Sequence, residues 1–221
     1  MKQYDIILQK GHILVAEAGG KLLIDTGSPL SFHSAGRFTL CDQTFNVPAS
    51  LMNVNADYIS DKVGTRVEGL IGMDIIGRLG MAVDIPAGTV TFGCGTQGWR
   101  RIPSATFGVA SMDITVAGRP ARVALDTGAP ISYIGRAYAE GYEAVDTATD
   151  FSPLSAADSF EVPVYEIPVC VGGLEMTMRL GTPPADVGAM IAACGLDGAI
   201  GLEFLSGNPV LIADGGVWVR S

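Results

Sequence analysis

The tripeptide Asp-Thr-Gly occurs twice, at Asp25-Thr26-Gly27 and Asp126-Thr127-Gly128, and its surroundings repeat with it. A shift of 101 positions (126 against 25) lays Leu23-Ile24-Asp25-Thr26-Gly27-Ser28-Pro29-Leu30-Ser31-Phe32 over Ala124-Leu125-Asp126-Thr127-Gly128-Ala129-Pro130-Ile131-Ser132-Tyr133. The same shift lays Ile13-Leu14-Val15-Ala16 over Ile114-Thr115-Val116-Ala117. A repeat of this kind means two copies of one lobe. A second repeat follows at a different spacing. Gly69-Leu70-Ile71-Gly72-Met73-Asp74 matches Gly198-Ala199-Ile200-Gly201-Leu202-Glu203 at a shift of 129 (201 against 72), and Cys41/Cys170 and Asp57/Asp186 share that shift. The lobes therefore align without a gap from Cys41 to Gly72. The 28 residues by which the shifts differ (129 against 101) fall between Ser31/Ser132 and Cys41/Cys170, as an extra segment of the second lobe at roughly 136–163.

Duplication brings Asp25 and Asp126 toward a pseudo-twofold axis. Two carboxylates about 3 Å apart cannot both ionise, so they share a proton and serve as paired acid and base. Each half resembles a lobe of the retropepsin- and pepsin-type aspartic proteases: a hydrophobic strand, Asp-Thr-Gly-(Ser/Ala), then a distal hydrophobic-hydrophobic-Gly and a short helix. Leu196-Asp197-Gly198-Ala199-Ile200-Gly201 is similar to the Asp-Gly-X-X-Gly run of pepsins, and residues 165–184 are similar to the strands after the flap in viral retropepsins. The resemblance covers nearly the whole chain. It implies an all-β, two-lobed acid-protease fold in which the distal strands, ending at Gly72 and Gly201, cross the Asp-Thr-Gly loops as ψ-shaped units.

Composition sets the outer limits. A chain of 221 residues, 48% hydrophobic and 17% charged, can bury a sizeable β-rich core. No apolar run approaches the roughly 18 residues of a membrane span, and no secretory apolar segment follows the start, so a cytoplasmic chain is expected. A net charge of −9 argues against nucleic acid and anionic membranes as partners. The four Cys (41, 94, 170 and 194) lack Cys-X-X-Cys spacing, and His12 and His33 stand alone, so neither a metal nor another cofactor is expected. Cys41 and Cys170 are expected at equivalent strand positions.

Apolar stretches rich in Val, Ile and Thr place strands at 13–16, 21–25, 38–47, 81–85 and 89–92 in the first lobe. In the second they fall at 112–116, 122–126, 164–171, 174–180, 209–213 and 217–219. Pro86-Ala87-Gly88 and Asp214-Gly215-Gly216 supply turns for a final hairpin in each lobe. Helical periodicity is brief, at Met73, Ile76 and Leu79 and at 202–205. The lobes divide as 1–98 and 109–221, joined by a linker at 99–108. Residues 4–8, the linker and the C-terminus are expected to build a sheet between the lobes, with Trp99 and Trp218 packed on it. Asp74 and Glu203 are expected to cap the short helices or to face the other lobe.

The resemblance implies an aspartic endopeptidase in which Asp25 and Asp126 activate a water, with a peptide or protein substrate and a monomeric chain. Thr26 and Thr127 would cross-bond beneath the pair, and Gly27 and Gly128 would let backbone N–H groups approach the carboxylates. Ser28 follows one Gly and Ala129 the other. A Ser28 hydroxyl donating to Asp25 would lower its pKa and make it the more readily ionised member; the alternative is that Ser28 bonds backbone in its own turn. The extra segment supplies the candidate flap, near 143–164, with turn residues at Phe151, Ser152, Pro153, Leu154 and Ser155. A flap on the second lobe alone departs from pepsins, which carry one on the first, and from retropepsin dimers, which carry two. The competing reading is a catalytically silent retropepsin-like module that binds a peptide or protein.

Overall fold

Each Asp-Thr-Gly loop hangs from three short strands, and the two lobes build this unit in the same way. In the computed structural model, which describes residues 1–17, 20–152, 155 and 157–220, strand Gly69–Ile71 runs parallel to Gly20–Ile24 and antiparallel to Phe32–His33. In the second lobe Gly198–Ile200 runs parallel to Arg119–Leu125 and antiparallel to Ser132–Ile134. The Asp25 amide donates to the Ile71 carbonyl at 3.0 Å, and the Asp126 amide donates to Ile200 at 2.9 Å. These strands are buried on both faces, which is why they read as continuous apolar runs. Ile13 and Val15 join the main core, while Leu14 faces a second cluster with Leu23, Phe32 and Leu70.

A six-stranded sheet joins the lobes. Its order is Lys2–Asp5, Thr89–Phe92, Met81–Asp84, Val210–Ala213, Gly216–Arg220 and Trp99–Ile102, so the first lobe supplies three strands, and the second lobe with the linker strand supplies three more in mirrored sequence. The central pair, Met81–Asp84 against Val210–Ala213, is antiparallel with Ala82 opposite Leu211. Trp99 and Trp218 pack on this sheet against Ala82, Leu211 and Ala213. Residues 99–108 contribute two strands, Trp99–Ile102 and Ser104–Phe107, the second pairing with Val109–Val116. The second lobe closes an eight-stranded sheet on itself where Val109–Val116 meets Phe160–Val171. In Val109–Val116 the residues Ala110, Met112, Ile114 and Val116 are buried at every second position, the period of a strand with one face in the core, and only Ser111 between them is buried as well.

Among the described residues four α-helices fill the remaining space: α1 (Ala56–Val63), α2 (Met73–Leu79), α3 (Ala185–Ala193) and α4 (Leu202–Gly207). The sequence reading found α2 and α4 and missed α1 and α3. Asn55 starts α1 by accepting the Tyr58 amide at 2.8 Å, Gly64 ends it in the left-handed region, and Ala56, Ile59 and Val63 bury one face. In α3 only Val187 is buried, and apolar residues surround the axis, so no amphipathic stripe marks it. Both helices carry an acid in the first turn, Asp57 and Asp186, at matched positions.

One expectation about matched positions fails, and one of the two alternatives for another is excluded. Cys41 does not occupy a strand position equivalent to Cys170. It lies with Asp42 in the two-residue turn between Arg37–Leu40 and Gln43–Asn46, at φ 54°, whereas Cys170 lies within Phe160–Val171 opposite Glu175. The second-lobe hairpin turns later, at Gly172-Gly173, because its strands are longer. Nor do Asp74 and Glu203 cap their helices through side chains. Asp74 accepts the Ser31 hydroxyl at 2.6 Å, and Glu203 accepts the Arg179 amide at 2.9 Å. Among the described residues no helix is long and apolar enough to cross a membrane.

Candidate active site

The two Asp-Thr-Gly loops meet face to face at the lobe boundary. The Thr26 amide donates to Thr127 Oγ1 at 3.0 Å and the Thr127 amide to Thr26 Oγ1 at 3.0 Å. Each hydroxyl then donates onward across the boundary, Thr26 to the Leu125 carbonyl at 2.5 Å and Thr127 to Ile24 at 2.9 Å. All four groups are buried, so every one of these bonds resists competition from water. Above this crossed frame stand Asp25 and Asp126, close enough for the charge of Asp126 to act on Asp25.

Glycine is required beside each carboxyl by close approach. A Cβ on Gly27 would lie 2.4 Å from Asp126 Oδ2, and one on Gly128 would lie 2.8 Å from Asp25 Oδ1. The Gly27 and Ser28 amides both donate to Asp25 Oδ1, at 2.9 and 3.0 Å, while Gly128 donates to Asp126 Oδ1 at 2.9 Å. Gly72 and Gly201 sit below, their amides donating to Ser31 and Ser132 hydroxyls at 2.8 and 3.0 Å.

Burial raises the pKa of both carboxyls. For Asp25 the next cause is the negative charge of Asp126, and its value stands well above the ordinary one; for Asp126 the amide of Gly128 opposes the rise. The pair therefore retains a proton under conditions where isolated carboxyls have lost theirs. The Ser28 hydroxyl takes no part. It donates to the Leu30 carbonyl at 2.8 Å, within its own turn, so the expected lowering of the Asp25 pKa by that hydroxyl has no basis. Ala129 serves its loop through its carbonyl, which accepts the Leu202 amide at 3.0 Å.

Asp25 and Asp126 open onto a cavity of about 300 Å³. Its walls are mostly apolar: Ile59 and Val63 come from α1, and Val187, Met190 and Ile191 from α3. The two helices missed in the sequence thus line the same site. Asp150, Phe151, Ser152 and Phe160 of the extra segment line the same cavity. Strand Asp146–Asp150 pairs with the first half of Phe160–Val171, forming a hairpin that rises from the second lobe. The hairpin also touches the first lobe, where Lys62 Nζ donates to the Asp158 carbonyl at 3.2 Å and lies 5.7 Å from the Phe151 ring centroid. Of the expected flap turn, Pro153 and Leu154 lie outside the described residues; Ser155 donates to Asp186 at 2.9 Å.

Three further cavity residues escaped the sequence reading: His12, Tyr133 and Asp150. Tyr133 donates to Asp150 Oδ2 at 2.5 Å, and burial raises the pKa of Asp150. Their only sequence signal is the place of Tyr133 in the repeat, seven residues after Asp126, where the first lobe has Phe32. Among the described residues no group of three or more His, Cys, Asp or Glu side chains is placed to hold a metal ion.

No family model and no curated protein sequence matches the chain. Among solved structures it is similar to the crystal structure of an aspartic proteinase from Irpex lacteus, with a TM-score of 0.54 and 12% sequence identity, over 100% of this chain and 97% of that one. The fold is mostly β and is that of a two-lobed aspartic proteinase.

Proposed function

We propose that this chain is an aspartic endopeptidase, with Asp25 and Asp126 as the catalytic pair. The observation that supports this reading is the pair itself: one carboxyl from each repeat, the two close enough for the charge of one to act on the other, over a crossed Thr frame and at the wall of a cavity. Pairing two buried carboxyls costs stability, and a binding surface has no use for it. In the reaction the ionised member takes a proton from a water held between the two as that water attacks the scissile carbonyl carbon. The protonated member hydrogen-bonds the carbonyl oxygen and stabilises the charge that develops there. The gem-diol then collapses, with a proton passing to the leaving amine. Neither the doubly protonated nor the doubly ionised pair can do this, so activity follows a bell in pH.

The hairpin 143–164 acts as a lid, holding the peptide at the pair and excluding bulk water. One chain supplies both carboxyls, so the unit of function is a monomer and the partner is a peptide or protein substrate. Incubating the pure protein with a proteome-derived peptide pool and sequencing the new ends tests the reading. New ends that vanish in both Asp25→Asn and Asp126→Asn support it. A pool left intact across the pH range, with peptides still retained by the protein, would replace it with a binding module.

A further inference from the structure

The hairpin that lines the cavity belongs to the second lobe, and its own lobe holds it at two points. Tyr133 donates to Asp150 Oδ2 at 2.5 Å, and Ser155 donates to Asp186 of α3 at 2.9 Å. Neither contact crosses to the first lobe. The first lobe reaches the hairpin from α1, through Lys62. Its Nζ donates to the Asp158 carbonyl at 3.2 Å and stands 5.7 Å from the Phe151 ring centroid. It also stands 5.6 Å from the ring centroid of Tyr58, one turn earlier on the same helix. Tyr58, Lys62 and Phe151 are each half-buried. Residues four apart on a helix are neighbours, so Tyr58 steadies the lysine stem and reduces the rotamer freedom lost when the ammonium binds across the lobe boundary.

A lysine on a helix ordinarily extends into water. Here a carbonyl oxygen and two aromatic rings replace part of the hydration of the ammonium, and a cation beside an aromatic ring gains more as water is excluded. The repeat does not share this residue. The shift of 129 that matches Asp57 with Asp186 sets Lys62 against Ile191, which lines the cavity from α3. The lobe that carries the hairpin thus has an apolar wall residue at this position, and the opposite lobe has the cation. Phe151 connects the contact to the chemistry. It lines the cavity with Asp25 and Asp126, and its ring lies 5.9 Å from that of His12, also of the first lobe. Ile59 and Val63, beside Lys62 on α1, line the cavity too. A contact between Lys62 and Phe151 therefore sets where the hairpin stands relative to the α1 wall.

Resting on the peptidase reading, we infer that Lys62 is a positioning residue: a clasp from the first lobe that holds the second-lobe hairpin, through Phe151 and the Asp158 carbonyl, closed over a peptide bound at the Asp25–Asp126 pair.

The release rate of a statine-containing peptide tests this, because a peptide under a lid leaves only when the lid lifts. Lys62→Met keeps the length of the stem and removes the cation. It should release the peptide about three- to tenfold faster than the wild type, the scale of an ammonium beside an aromatic ring together with one hydrogen bond. Lys62→Arg keeps a cation for the carbonyl and the rings and should release it at close to the wild-type rate. Phe151→Leu should also speed release, and in the double variant Lys62→Met should add less than it does alone, since both changes act on one contact. A role confined to the stability of α1 would instead multiply the two factors. In the protein without peptide, NMR should show nuclear Overhauser contacts between the Lys62 methylenes and the Phe151 ring, a readout that does not depend on the peptidase reading. Wild-type release from Lys62→Met overturns the inference, as do equal acceleration by Lys62→Arg, independent factors in the double variant, or absence of those contacts. A peptide that does not bind the wild type, with the Lys62–Phe151 contacts present, removes the peptidase reading and with it the role of the clasp.

Discussion

At the scale of single residues, the retained proton of the Asp25–Asp126 pair links activity to stability. A carboxyl whose folded pKa lies above its unfolded value binds more protons in the folded state, so stability falls as pH rises from the unfolded pKa toward the folded one. With both members raised from an ordinary value near 3.8, the wild type should lose stability as pH climbs from about 4 toward neutrality. Asp25→Asn and Asp126→Asn should each flatten that slope and melt no lower than the wild type near neutral pH. Both should lose cleavage by roughly a hundred- to ten-thousand-fold, the usual worth of a positioned acid or base. Melting curves across pH and turnover of a pool-derived peptide check both halves; a variant that keeps near wild-type turnover rejects the paired mechanism. Ser28→Ala should leave the acidic limb of the activity bell in place, since the Ser28 amide, not its hydroxyl, reaches Asp25. An acidic limb that moves upward would show that the hydroxyl turns toward Asp25 in solution. The pair and its loops were legible because duplication marks them twice. His12, Tyr133 and Asp150 were not, since no spacing along the chain says that a strand of one lobe and a hairpin of the other will share a cavity.

Among the elements, the ψ units were the most readable and the helices beside the cavity the least. The distal glycines recur at a fixed shift because the crossing leaves no room for a side chain: a Cβ on Gly201 would stand 2.1 Å from the Ala129 carbonyl oxygen, and one on Gly72 would stand 2.5 Å from that of Leu30. Since the obstacle is backbone, Gly201→Ala should destabilise the protein by about 1–3 kcal/mol, the range for overpacking, and denaturant unfolding reads the loss directly. An unchanged midpoint would mean that the crossing yields to a methyl group without cost. The α1 signal was present at Asn55, Ala56, Ile59 and Val63 but is only two turns long, and α3 has no polar stripe to set a period. The hairpin was legible as surplus length, yet its contact with Lys62 of α1 was not. Deleting residues 151–159 should leave an ordered two-lobed protein that has lost about tenfold or more in kcat/KM, near 1.4 kcal/mol. Undiminished turnover in that variant would show that the hairpin is no lid.

For the molecule as a whole, the six-stranded sheet and the crossed Thr frame decide whether the lobes can live apart. The expected division at 98 cuts between Thr89–Phe92 and Trp99–Ile102, and a chain ending there would keep only three of the sheet's six strands. Met81–Asp84 would become an edge, with Met81, Ala82 and Val83 stripped of the partners Ile212, Leu211 and Val210. The loss does not stop at the sheet. One hydrophobic cluster runs from Ile13 and Ile24 through Ile71 to Leu125, Ile200 and Phe204, so no apolar boundary separates the lobes. The Thr26 and Thr127 amides are buried in the whole protein, and each would lose its acceptor if the lobes parted. Once parted, those amides bond water instead, so each bond lost costs its net worth of about 0.5–1.5 kcal/mol, in addition to the shared core and the central strand pair, against the roughly 5–15 kcal/mol that holds a domain together. Unfolding of one lobe therefore removes enough support to unfold the other. Scanning calorimetry should give a single transition in which the calorimetric and van't Hoff enthalpies agree. Thr26→Val, which leaves the Thr127 amide without its acceptor, should lower that transition as one peak. Two resolved transitions, in the wild type or in Thr26→Val, would instead make each lobe a unit that folds alone.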